Sequence, residues 1–187
     1  MTTKRKIIMF VILVAIGVLG RLLPHAWNFT PLIATTIFAG VYLGKPQAFF
    51  LPVITMLISD IFVGFYEPKI MFSVYLSFAI AGLIGCRFAK NKKINNLALS
   101  AFASSTVFFL VTNAAVWFFG SMYNTGLSGL IQSYLAGIPF YRNMMLGDIF
   151  YTVFLFGVYE MSLRFIRDYK NRKESSFIEL EKPKITL

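Results

Sequence analysis

The sequence predicts an all-α integral membrane protein: six transmembrane helices, with a short interfacial or re-entrant helix between the fifth and the sixth. Three observations carry that prediction. Hydrophobic residues make up 57% of the 187 residues and aromatics 17%, with a mean hydropathy of +0.69, more apolar surface than a soluble domain of this length can hide. The apolar residues fall into runs broken by basic or Gly/Pro-containing segments, and six crossings of roughly 20 residues fit the length. The net charge of +10 comes from Lys and Arg that flank those runs. That is the arrangement that orients membrane proteins, so nucleic acid is not expected as a partner.

The same counts remove several functions. No room is left for a soluble catalytic domain. One cysteine, Cys86, and one histidine, His25, rule out a disulfide framework and a metal site built from His or Cys. No P-loop is present, so any energy comes from a partner or an ion gradient. Neither a cofactor motif nor a catalytic motif is found, and an enzyme is not expected.

In chain order, Lys4-Arg5-Lys6 precedes a first span from Ile7, which Arg21-Leu22-Leu23 continues. The stretch Pro24–Phe29 is too broken by proline for a helix interior. Thr30 as N-cap and Pro31 at the first helical position open a second span to about Gly44. Gly44-Lys45-Pro46 is a tight break before span three, Pro46 to Tyr66, which contains Pro52 and ends at Glu67-Pro68-Lys69. Span four, Ile70 to Ala89, carries Ser77, Ala81 and Gly85 at four-residue spacing, a ridge on which another helix can approach closely. After the basic loop at Arg87, Lys90, Lys92 and Lys93, span five runs from Leu97 to Gly120. Leu127–Ile138 is apolar but only about a dozen residues long, so it is read as the short helix, ended by Pro139. Span six runs from Asn143 to Phe165, giving a single domain over 1–167 and a polar, disordered tail over 168–187.

With six crossings both termini share one side. That side holds 15 of the 18 Lys and Arg, leaving Arg21, Lys69 and Arg142 opposite, so both termini are expected in the cytoplasm. This topology places polar residues by depth. Asp60 lies about 9 Å below the outer end of span three and Asp148 about 8 Å below that of span six, at 1.5 Å per residue. A carboxylate at such depth is costly and marks a functional site with a partner. Asn113 on span five falls at a similar level, with Arg21, His25, Asn28, Arg142 and Asn143 near the rim. Phe109, Asn113 and Trp117 repeat every four residues, an aromatic wall with one amide that suits a planar polar ligand. Asp148 and Tyr151 share an inward stripe on span six. These residues form the expected ligand site. The alternative is that Arg21–Asp60 and Arg142–Asp148, or the crossed pairs, are internal ion pairs of a structural or accessory membrane subunit that binds nothing.

The run Ala39-Gly40-Val41-Tyr42-Leu43-Gly44-Lys45-Pro46, then Pro52, Ser59-Asp60, Gly64, Tyr75, Phe78 and Gly82, resembles the substrate-binding S components of energy-coupling factor (ECF) vitamin transporters. The wider pattern, from Asn28-Phe29-Thr30-Pro31 through Val111-Thr112-Asn113 and Arg142-Asn143 to Gly147-Asp148, is similar to a family of uncharacterised bacterial membrane proteins. The resemblance implies a multi-pass protein of the bacterial cytoplasmic membrane. It also implies uptake of a small water-soluble metabolite, of vitamin or nucleobase class, held near the outer face. The partner it implies is a transmembrane coupling subunit driven by two ATPases. S components commonly carry small residues four apart on the first helix for that docking; here Ala15, Gly17 and Gly20 do not repeat at four.

Overall fold

The structure, a computed structural model, describes the backbone of residues 2–181 and the side chains of 2–89 and 91–173. Among the described residues it is all-helical: α1 (Thr3–Leu22), α2 (Leu32–Tyr42), α3 (Lys45–Val63), α4 (Pro68–Phe88), a 3-10 turn (Ala89–Asn91), α5 (Ile94–Phe119) and α6 (Leu127–Glu181). The chain divides into two units. Met1–Leu155 holds α1 to α5 and α6 as far as Leu155; Phe156–Leu187 begins with the rest of α6.

Four helices, α3 to α6, are long and apolar enough to cross a membrane, which suits a membrane protein. α1 has the length, but Lys4, Arg5, Lys6 and Arg21 lie within it. α2 has only 11 residues, about 16 Å of helix, where a full span over Pro31 to Gly44 is expected. Pro31 takes the N-cap place and the helix starts one residue later. α2 is buried on every side from Leu32 to Ala39, as a helix enclosed by others must be. Its Thr35 and Thr36 hydroxyls donate back to the Leu32 carbonyl at 2.9 and 2.7 Å, so its polar groups are satisfied without water.

α4 packs chiefly on α5, and α3 lies between α1, α2 and α4. The ridge Ser77-Ala81-Gly85 serves as expected. Ser104 donates to the Ala81 carbonyl at 2.7 Å, and a Cβ on Gly85 would come within 2.5 Å of the Ser104 hydroxyl and 2.7 Å of Ile37. Gly44, at φ +124°, makes the break before α3. Glu67 and Pro68 open α4 instead of merely closing α3: the Glu67 carboxylate accepts from the Ile70 N–H at 2.8 Å, with Pro68 inside the first turn.

The separate short helix is the main correction. Leu127–Ile138 and the last span form one helix, α6, which passes through Pro139. Proline removes one intrahelical bond and ends most soluble helices, yet in a membrane helix packing against neighbours compensates. Here the turn before Pro139 is tied to α5. Ser133 Oγ donates to the Asn113 carbonyl at 2.8 Å and Tyr134 OH to the Leu110 carbonyl at 2.9 Å. The polar tail also differs. α6 runs on to Glu181, so the tail is helical over 168–181; residues 182–187 lie outside the described residues.

Candidate functional site

The segment between α1 and α2 is not helical. Asn28 sits in the left-handed region at φ +60°, a conformation that asparagine tolerates better than most residues, and the Phe29 N–H closes a turn on the Ala26 carbonyl at 2.9 Å. Aromatic contacts hold this loop on α6. Trp27 stacks on Phe140 with ring centroids 5.5 Å apart, and Phe29 meets Tyr151 at 5.4 Å and Phe150 at 6.1 Å. A Cβ on Gly147 would come within 3.1 Å of the Phe29 ring, so this glycine admits it.

Under the loop lie two adjoining cavities of about 150 Å³ each, which share Asn28, Phe108 and Met144 as walls. One reaches toward Arg21, Met56, Tyr66 and Phe78; the other toward Phe109, Thr112, Asn113 and Tyr141. Together they reach the lower end of the volumes small molecules occupy, ~300–1,000 Å³. Aromatic rings stand in both walls. Phe78 and Phe108 lie 4.1 Å apart between centroids, and Phe109 and Tyr141 lie 4.7 Å apart. Asn113 Nδ2 donates to the Phe109 carbonyl at 2.8 Å, which fixes the amide. Its oxygen faces Gly137, where a Cβ would come within 2.4 Å.

The charged residues next to this space are neutralised within the protein. Arg21 Nη1 binds Asp60 Oδ1 at 2.8 Å and also donates to the Ser59 hydroxyl. Tyr75 OH donates to Asp60 Oδ2 at 2.5 Å. Asp60 is fully buried, so each of its oxygens has a partner where water cannot supply one. Tyr66, in the connection after α3, stands at the wall of the same cavity as Arg21.

A model of a family of unknown function, DUF6580, matches residues 1–171. The chain belongs to the DUF6580 family. No curated protein and no solved structure matches it.

Within this DUF6580 chain the residues expected from sequence separate into groups. Arg21, Asn28 and Asn113 line the cavities. Asp60 stands behind Arg21. Asp148 is buried elsewhere, accepting from Ser105 Oγ at 2.6 Å, so the two aspartates share no partner, and Arg142 is exposed rather than paired with Asp148. His25 is exposed, its Nδ1 2.6 Å from the Leu23 carbonyl. Trp117 donates to the Asn124 carbonyl at 3.2 Å, and it is Val116 that lines the cavity. Tyr151 holds Phe29, and Asn143, half-buried, is not among the lining residues. The α5 wall is thus rotated from the expected 109/113/117 stripe onto Phe108, Phe109, Thr112, Asn113 and Val116. Helical spacing allowed either face. Tyr75 and Ser105 were not expected as carboxylate partners; a hydroxyl on another helix is the only signal that either gives.

Proposed function

We propose that the chain is an S-component-like binding protein that captures a small, uncharged, water-soluble metabolite of vitamin or nucleobase class for uptake. One observation carries this reading: irregular backbone, with Asn28 at its tip, lines a polar and aromatic cavity among helices that suit a membrane. Such backbone is tolerated at membrane depth only when it is enclosed by protein or borders a wet cavity. The loop and α2 then make one crossing together. With α1 this gives six crossings in the bacterial cytoplasmic membrane and both termini in the cytoplasm, in line with the charge bias. The coupling partner is the transmembrane subunit with two ATPases that the S-component likeness brings.

The charge inventory narrows the ligand. Arg21 is the charged residue among those lining the two cavities, and Asp60 neutralises it, so an ionised ligand meets no unpaired counter-charge there. Neutral planar heterocycles fit, with edges read by the Asn28 and Asn113 amides and faces by Phe108 and Phe109.

The test is a thermal-stability panel of neutral and phosphorylated vitamins and nucleobases on the purified protein. A neutral member at a hundredfold over its Kd stabilises by about 2.7 kcal/mol, and its phosphorylated form does not. No stabilising member, or preference for the anions, contradicts the proposal. The structural-subunit reading draws on the satisfied Arg21–Asp60–Tyr75 cluster. Asn113→Ala, which leaves the Arg21–Asp60–Tyr75 cluster intact, separates the two: binding by the wild type that the folded variant loses favours a site, and binding by neither favours helix glue.

A further inference from the structure

The two cavities under the loop differ in which of their polar groups are already in use. In the cavity that Arg21 lines, the guanidinium makes both of its bonds, to Ser59 and Asp60, with Nη1 alone, so Nε and Nη2 have no partner among the described residues. The Asn28 amide and the Thr30 and Tyr66 hydroxyls of the same wall make no hydrogen bond among the described residues either. In the cavity that Asn113 lines, the polar groups serve the protein itself. Thr112 Oγ1 donates to the Phe108 carbonyl at 2.8 Å, the Tyr141 hydroxyl is paired with that of Thr106 at 2.7 Å, and Asn113 Nδ2 is held by the Phe109 carbonyl. Apart from the shared Asn28, that cavity offers one acceptor, Asn113 Oδ1, beside the Phe109 and Tyr141 rings. Each cavity, at about 150 Å³, has room for about one six-membered ring. Of the three residues that both share as walls, Met144 is unbranched and flexible and can move aside for a linking bond.

We propose that the two cavities together hold one pyrimidine nucleoside, its base beside Asn113 and its ribose beside Arg21. This rests on the reading of the cavities as a binding site and narrows the ligand of that site. The base belongs beside Asn113 because a pyrimidine edge carries an N–H donor for the one acceptor there, and its faces stack on the Phe109 and Tyr141 rings. The ribose belongs beside Arg21 because its hydroxyls both donate and accept. They can answer the guanidinium, the Asn28 amide and the Thr30 and Tyr66 hydroxyls at once, where an apolar group would leave all four dry and unpaired. A free base fills one cavity and leaves those four groups unanswered, and a purine brings two fused rings to a space for one. Asp60 already neutralises Arg21, which favours the nucleoside over its phosphate.

Calorimetric titration of the purified full chain in detergent with uridine, uracil, 2′,3′-dideoxyuridine and ribose tests this. Uridine is expected to bind about tenfold or more tightly than uracil, the difference that one or two hydrogen bonds make. Dideoxyuridine, which lacks two ribose hydroxyls, falls back toward uracil, and ribose alone gives no measurable binding. Thr30→Val and Tyr66→Phe each remove one hydroxyl at nearly constant shape, and each lowers the ratio of uridine to uracil affinity several-fold. The dideoxyuridine comparison needs no variant and keeps the test open should either fail to fold. Equal affinity for uridine and uracil, or a ratio that neither the missing ribose hydroxyls nor the two substitutions reduce, overturns the proposal and leaves a site for a free base. If none of the four binds while another neutral member of the vitamin and nucleobase panel does, the nucleoside assignment alone falls. If nothing in either set binds, the binding reading falls with it.

Discussion

Asp60→Asn lowers the stability of the protein by about 3–5 kcal/mol, the range for breaking one partner out of a buried ion pair. Asn keeps the shape and still accepts from Tyr75, but it leaves Arg21 beside Ser59 with no counter-charge in a largely buried place. Asp148→Asn costs far less, about 1 kcal/mol, because its partner is the Ser105 hydroxyl, which an amide oxygen serves almost as well. Unfolding in detergent, followed for both variants, checks the contrast. Equal losses would mean that the two buried carboxylates play the same part, against the separation of their partners. A double-mutant cycle with Arg21→Gln sharpens it: the pair shows a coupling of about 0.5–3 kcal/mol, since either change alone strands the other charge.

Gly137→Ala is expected to act on binding with little effect on folding. A Cβ at this position comes within 2.4 Å of Asn113 Oδ1 and 2.9 Å of its other amide atoms, so the Asn113 side chain must turn away. Those atoms belong to a side chain that can move, and the backbone of α6 need not shift. The amide then no longer presents its edge to the cavity, and ligand affinity falls about tenfold to a hundredfold, the loss of one or two positioned hydrogen bonds. Asn113→Ala in the Gly137→Ala background adds almost nothing further, because the amide is already displaced. Binding isotherms for the two single variants and the double variant decide it. Additive losses would place Asn113 and Gly137 in separate roles.

Gly137 also illustrates what the sequence leaves illegible. Composition and run lengths carry the all-helical, membrane-suited architecture, and four-residue spacing carries the close α4–α5 approach at Ala81 and Gly85. Arg21 and Asp60, far apart in sequence, are expected in one belt of residues, and their pairing is the alternative to a ligand site. Depth along a helix does not distinguish its faces: Asp60 and Asp148, expected at one level, have different partners, because rotation about each helix axis decides which neighbour a side chain meets. The same missing rotation moved the α5 wall by one residue, from Trp117 to Val116. Pro139 misled for a different reason. Its effect on a helix depends on tertiary bonds from Ser133 and Tyr134 to α5, which no local pattern announces. Glycines that admit a side chain, such as Gly137 for Asn113 and Gly147 for Phe29, look in sequence like any other membrane-helix glycine.

The central claim is that the two cavities under the 23–31 loop hold a small uncharged molecule. Native mass spectrometry of the purified wild type beside its Gly137→Ala variant tests it most directly. The account predicts a small-molecule adduct of one defined mass on the wild type that is lost or sharply reduced in the variant. An absence of any such adduct from both proteins even after incubation with the neutral vitamin and nucleobase panel, or an adduct retained equally by the variant, would contradict it.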